Sequence, residues 1–218
     1  WSLAQQMLTN GRPIVRPFGL VAPEAGVHPN DEYLLGDSLL VAPVITAGAT
    51  GRDVALPPGQ WLDWWTGEPA TTHATADLDT LPLYIVRGAI VPMLRDTIDT
   101  LAPTTQNGVE SYANDPGTLV VRIAFGPPAQ LTLFDEGSIE TSLSHIVFTP
   151  GKRFTRGALF EVIANAAPAS VTADGATLTH RNSYAALLGA SEGWFHDPAQ
   201  TGGTLWIKVP GGADITIQ

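Results

Sequence analysis

From Ser38 onward the chain is written in short apolar runs, each closed by a cluster of glycine, proline or threonine. "SLLVAPVI", "RDVALP", "QWLDWW" and "LPLYIVRGAIVPM" come first. Beyond Thr100 the alternation is cleaner. In "TLVVRIAF", Leu119, Val121, Ile123 and Phe125 share one face, because successive side chains of an extended chain point to opposite sides. "AQLTLFD", "SHIVFTP", "GALFEVIA", "ASVTADGATL", "TLWIKV" and "ADITIQ" continue the pattern, with turn signals at Asp174-Gly175 and Pro210-Gly211-Gly212. Short strands at regular spacing, each with one apolar face, close a core by stacking two sheets, so β-sandwiches are predicted.

The opening "WSLAQQMLTNGRPIVRPF" is different. Leu3, Met7 and Leu8 fall on one helical face and Asn10-Gly11 is suited to cap it. "IVRPF", bounded by Pro13 and Pro17, is predicted as a short buried strand. One helix and one strand cannot enclose a core, and the chain starts at Trp1 rather than methionine. Both features are those of a piece of something larger. The polar stretch "RDTIDTLAPTTQNGVES" is the best candidate boundary between two sandwiches.

Composition narrows the function. Of 218 residues, 44% are hydrophobic and 15% charged, enough for packed cores and too few charges for a disordered chain. The formal net charge is −10, with Lys and Arg scattered, which argues against binding a phosphate backbone; no nucleic acid partner is expected. There is no cysteine, so disulfides and thiolate metal sites are excluded. No apolar run is long enough to span a bilayer, and no targeting segment or N-glycosylation acceptor is present. No membrane partner is expected, and a cytoplasmic or a secreted location is equally open.

Known catalytic motifs are mostly missing. There is no Gly-x-Ser-x-Gly elbow, no His-Glu-x-x-His and no P-loop. "TPGKRFTRG" carries Gly151-Lys152 but Arg153 where a P-loop needs Ser or Thr. His28, His73, His145, His180 and His196 show no metal-ligand spacing, so neither metal nor cofactor is expected. "NDEYLLGD" holds Asp31, Glu32 and Asp37, and "LFDEGS" holds Asp135 and Glu136. Adjacent acids on an extended segment point apart, whereas glycosidase carboxyls flank one bond at roughly 5–10 Å; these acids are read as solvated loops.

The densest feature is "GQWLDWWTGE", Gly59 to Glu68, with Trp61, Trp64 and Trp65 beside Asp63 and Glu68. Indole faces next to carboxylates suit a sugar site. They suit a structural knot equally, each buried indole removing about 150–250 Å² from water, with Asp63 and Thr66 bonded locally at the turn.

The order of these motifs resembles the C-terminal part of glycoside hydrolase family 31, the α-glucosidase and α-xylosidase family. The pieces are "GRPIVRPF", "DEYLLGDSLLVAPVITAGATGRDVALPPGQWLDWWTGE" and "LDTLPLYIVRGAIVPM", nearly continuous from Gly11 to Met93. The resemblance implies a mainly β fold in three parts. Residues 1–37 would be a remnant of the end of a catalytic (β/α)8 barrel, residues 38–100 a proximal and residues 101–218 a distal C-terminal β-sandwich. It also implies retaining chemistry by an Asp nucleophile and an Asp acid/base. The family's nucleophile motif, Trp-x-Asp-Met-Asn-Glu, is imitated by "WLDWWT" only to its third residue. The stretch matches the later Trp-x-Asp-x-x-Thr-Gly element instead, so Trp61, Trp64 and Trp65 are read as a structural knot that fills the core of the proximal sandwich or its seam with the barrel.

No catalytic residue is therefore expected in this chain. It would be the non-catalytic C-terminal portion of an α-glycosidase, with Trp61, Asp63, Trp64 and Trp65 as candidate carbohydrate contacts. Two rivals stay open: a stand-alone carbohydrate-binding β-sandwich protein, or a small glycosidase with its own carboxylate pair. The partner implied is the carbohydrate substrate of the complete enzyme. Leu3, Met7, Ile14, Val15 and Phe18 should be exposed, disordered or covered, through self-association or pairing with a missing barrel.

Overall fold

The computed structural model describes residues 1–76 and 79–218, so Leu78, which opens "LDTLPLYIVRGAIVPM", lies outside the described residues. The chain divides into two compact units, Trp1–Ala89 and Ile90–Gln218.

The first unit opens with helix α1 (Ser2–Asn10), closed by Gly11 in the left-handed region (φ 73°), whose N–H bonds to the Met7 carbonyl. Only glycine takes this φ without strain. Strands β1 (Val15–Pro17), β2 (Tyr33–Leu35), β3 (Leu39–Val41), β5 (Trp61–Asp63) and β7 (Leu83–Val86) form one sheet in the order β1-β2-β3-β7-β5, antiparallel throughout. Strands β4 (Gly51–Asp53) and β6 (His73–Thr75) make a separate ribbon. Leu34, Leu40, Ala42, Val54, Trp61, Ala74 and Tyr84 form the core between sheet and ribbon. Barrel strands pair in parallel, whereas β1 pairs antiparallel with β2 from Val15↔Leu35 to Pro17↔Tyr33.

Two expectations for the N-terminal segment need correction. Strand β1 is not a buried apolar strand: Val15 and Pro17 face outward and Arg16 is the buried residue. Period-two alternation forces the choice, and Arg16 goes inward because Nε donates to the Pro13 carbonyl at 2.8 Å and its guanidinium pairs with Asp37. Phe18 is also fully buried, at the start of a short helix, α2 (Phe18–Val21), packed on β1 and β2. Met7 and Val15 are exposed as expected, joined by Trp1, Leu8, Leu20 and Val27.

The second unit is a sandwich. One sheet runs β16-β17-β13-β9-β8, made of Gly193–Asp197, Thr204–Val209, Ala158–Ile163, Leu119–Ile123 and Ile90–Met93. The other runs β10-β11-β12-β18-β14-β15, made of Ala129–Thr132, Ser138–Ser142, His145–Thr149, Ala213–Ile217, Val171–Ala173 and Ala176–Thr177. All pairings are antiparallel except β9 with β13. Leu119, Val121 and Ile123 face inward as the alternation predicts, with Phe125 packed partly buried against the same core. Phe148 of β12 meets Phe160 of β13 edge-on at 5.8 Å, a contact that joins the two sheets. Asp174 (φ 50°) and Gly175 (φ 79°) form the tight turn between β14 and β15, as two positive φ values in succession require. The polar stretch from Arg95 to Ser111 belongs to this unit. It is a loop closed by Asp99 and Thr100 N–H bonds to the Glu110 carbonyl, a Tyr112 N–H bond to Thr100, and the Arg95–Glu110 ion pair.

Strand β13 is buried on both faces. Its outward residues are Leu159 and Glu161, and Glu161 stands between Arg122 of β9 and Trp206 of β17 in register. Helix α3 (Tyr184–Gly189) covers this side through Leu187, packed with Leu159 and Trp206. The Ser183 hydroxyl caps the helix start by accepting from the Ala186 N–H, and Lys208 Nζ donates to the Leu188 and Ala190 carbonyls at its end. Burial lowers the Lys208 ammonium pKa.

Phe160→Ala should cost about 3–5 kcal/mol in chemical denaturation, because it leaves a cavity at the inter-sheet contact. Glu161, 3.2 Å from Arg122, has its pKa raised by burial, against the opposing pull of Arg122. The folded chain therefore holds this proton more tightly than the unfolded chain. The resulting stability is fully present below the ordinary value of 4.5 and is lost as pH rises through the raised folded value. Glu161→Gln abolishes the titration, so the wild type's stability relative to the variant should fall across that window. A difference that grows with pH would contradict the assignment.

Candidate functional site

The stretch "WLDWWTGE" folds as a hairpin. Strand β5 runs into a four-residue turn, Trp64–Gly67, and returns along Glu68–Ala70. The closing bonds are Asp63 N–H to the Glu68 carbonyl (2.8 Å), Gly67 N–H to the Asp63 carbonyl (2.9 Å) and Ala70 N–H to the Trp61 carbonyl (2.9 Å). Within the turn, Asp63 Oδ1 accepts from Trp65 N–H (2.9 Å), Thr66 N–H (2.8 Å) and Thr66 Oγ1 (3.1 Å). Gly67 takes φ 72°. The pattern Trp-x-Asp-x-x-Thr-Gly is thus a turn specification: a carboxylate for the orphan amides, a hydroxyl beside it, and a glycine where the chain reverses.

That turn sends the three indoles to three environments. Trp61 is 6% exposed, and its Nε1 donates to the Pro57 carbonyl at 2.9 Å. Trp64 is half-buried, with its backbone N–H bonded to the Leu83 carbonyl. Trp65 is 49% exposed, yet its Nε1 donates to the Leu81 carbonyl at 2.7 Å, which fixes the ring while leaving half its surface in solvent.

Beside Trp65 opens a recess of ≈ 240 Å³, walled by Asp63, Trp65, Thr66, Glu68, His73 and Tyr84. Tyr84 is the cross-strand partner of Asp63. Burial first, then the Asp63 and Glu32 carboxylates, raise its phenol pKa against the opposing effect of Arg52, so it stays a neutral hydroxyl. His73, on β6, has Nδ1 held 2.8 Å from Asp53 Oδ1. Motif reading did not reach Tyr84, His73 or the Leu81 carbonyl, because they come from β7, from β6 and from a loop backbone.

The other acids singled out in the sequence are engaged in scaffolding. Asp31 and Glu32 both take Arg52, which also donates to the Asp31 and Pro43 carbonyls. Glu32 accepts the Ala55 N–H as well, and burial raises its pKa against that bond and Arg52. Asp37 receives a two-pronged bond from Arg12 and pairs with Arg16. In the second unit "LFDEGS" and "TPGKRF" clasp each other. Asp135 is buried and accepts from the Arg153 and Phe154 amides, its carbonyl takes the Lys152 N–H, and Lys152 pairs with Glu136. The histidines lie apart: His145 pairs with Asp214, His180 stacks on Trp194 and His196 bonds to the Ala164 carbonyl. Among the described residues, no group of three His, Cys, Asp or Glu is placed to hold a metal ion.

Comparison with known proteins agrees with this arrangement. The family described as Glycosyl hydrolase family 31 C-terminal domain matches residues 11–91. An isomaltosyltransferase of Sporosarcina globispora is 31% identical over 92% of this chain, and an alpha-glucosidase 2 of Bacillus thermoamyloliquefaciens is 32% identical over 54%. The chain spans only 19% and 16% of the lengths of these relatives. In structure, all of the chain superposes on 22% of a cycloalternan-forming enzyme from Listeria monocytogenes, with TM-score 0.79 and 24% identity. A dextranase of Flavobacterium johnsoniae matches 99% of this chain with 30% of its own, at TM-score 0.73 and 21% identity.

The three indoles should separate in a stability assay. Trp61→Ala removes a buried, bonded ring and should cost about 3–5 kcal/mol. Trp65→Ala should cost less than half of that, since half of its ring is already in water. Equal losses measured by urea denaturation would refute the inward–outward division.

Proposed function

This chain belongs to glycoside hydrolase family 31 as part of its C-terminal region, and on that premise we propose that it is a non-catalytic portion of an α-glycosidase. The complete protein would hydrolyse or transfer α-glucosyl units through a glycosyl-enzyme intermediate. The first unit, residues 1–89, would hold the proximal sandwich and the join to its barrel, the second, residues 90–218, would be the distal sandwich, and the carbohydrate substrate would meet the barrel.

The observation that carries this reading is Asp63. Its Oδ1 takes three donors of its own turn, so the segment that imitates the first residues of a nucleophile motif is accounted for as a turn. Asp31, Glu32, Asp37 and Asp135 are likewise held by arginines or backbone amides. In this reading the exposed Trp1, Met7, Leu8 and Val15 form a surface for the barrel or for a second copy of the chain. The stand-alone sugar-binding alternative is favoured by one observation, the fixed and half-exposed indole of Trp65.

Purified chain assayed on aryl α-glucosides, aryl β-glycosides and maltose should give no turnover above the protein-free blank. Turnover that disappears in a folded Asp63→Asn variant would overturn the proposal. Sedimentation at rising concentration should show self-association that Leu8→Lys weakens. A strictly monomeric chain would contradict the role given to the N-terminal surface.

A further inference from the structure

The Trp65 recess has features that scaffolding does not explain. An isolated exposed aromatic on a protein surface is ordinary. Trp65 differs in being held: the Leu81 carbonyl takes its Nε1–H at 2.7 Å, and Asp63 Oδ1 takes its backbone N–H at 2.9 Å. A ring tethered at Nε1 on a bonded backbone loses little further freedom when something stacks on it, which lowers the entropic cost of binding. Its electron-rich face attracts the slightly positive C–H groups of a saturated ring.

The polar wall sets what that ring would be. Asp63 carries its three turn bonds on Oδ1, so Oδ2 has none of them. Glu68 is exposed beside it. Carboxylates accept hydrogen bonds and match hydroxyl donors. Tyr84 supplies a hydroxyl that stays protonated. Acceptors beside an apolar platform describe a polyhydroxylated neutral ring. An anionic sugar or a phosphate would face Asp63 and Glu68 with like charge. The volume, ≈ 240 Å³, lies below the roughly 300–1,000 Å³ of drug-sized sites, which limits occupancy to one ring with its neighbours in solvent.

We infer that the Trp65 recess binds one neutral pyranose ring, with Trp65 as the platform and Asp63, Glu68 and Tyr84 receiving its hydroxyls. The ring rests on the recess and stands apart from the α-glycosidase reading.

The test is an amide and indole NMR titration of the 218-residue chain with maltotriose, isomaltotriose, cellotriose and glucuronate. Saturable shifts of the Trp65 indole N–H and of the Thr66 and Glu68 amides are expected with all three neutral trisaccharides, at about millimolar affinity. Glucuronate should bind at least about tenfold more weakly, a difference of about 1.4 kcal/mol. Trp65→Ala should abolish the shifts while the Trp61 indole signal stays in place, and Trp65→Phe should keep partial binding. Absence of saturable shifts with every sugar would overturn the inference, as would shifts that survive in a folded Trp65→Ala variant. Equal binding of glucuronate would refute the neutral ring. Because the readout is binding and not turnover, failure here leaves the turnover assay of the complete reading unaffected.

Discussion

One oxygen, Asp63 Oδ1, governs the most distinctive part of the first unit. It accepts two backbone amides and a hydroxyl inside a four-residue turn. Hydrogen bonds to a charged acceptor are about twice as strong as neutral ones, and amides left without their acceptor cost about 1–3 kcal/mol each where buried. With the turn held, β5 and its return strand keep their register, and the register decides which indole enters the core. Trp61 fills the space beside Leu34, Leu40 and Tyr84, while Trp65 turns outward. Moving the chain by one residue would exchange the two faces.

The second unit depends on a different constraint. A sandwich core must be apolar on both inner faces, and here Phe148 and Phe160 link the sheets through an edge-on contact. The outer face of one sheet is also buried, and it carries the Arg122–Glu161 pair on the parallel strands β9 and β13. Taking both charges out of water offsets much of their attraction, so the pair adds little net stability. Removing either partner alone is costly, since the other is left charged and buried.

Much of this was legible in the sequence. "TLVVRIAF" gave an inward row at Leu119, Val121 and Ile123 because strand alternation is a local property. Asn10-Gly11 marked the end of α1 because the left-handed cap is glycine's. Asp63 and Thr66 bond at a turn, as the structural-knot reading of the Trp-x-Asp-x-x-Thr-Gly segment implies. What escaped came from distant or backbone partners. In "IVRPF", predicted as a buried apolar strand, Arg16 is the buried residue because Asp37 and the Pro13 carbonyl receive it. The parallel pairing of β9 with β13 spans three intervening strands of the other sheet. The Leu81 carbonyl that fixes Trp65 has no side-chain signature at all. For the same reason the recess was visible only as tryptophans near acids, without Tyr84 and His73.

The "GQWLDWWTGE" segment is a turn that presents one platform, and Asp31, Glu32, Asp37 and Asp135 are held in scaffolding by arginines or backbone amides. That claim concerns carboxylates, and a covalent trap interrogates them directly. A fluoroglycosyl fluoride that accumulates the glycosyl-enzyme of retaining α-glucosidases can be incubated with the purified chain and followed by intact mass. The account predicts an unchanged mass. A single glycosyl adduct, mapped by peptide digestion to Asp63 or any other Asp or Glu of this chain, would contradict it.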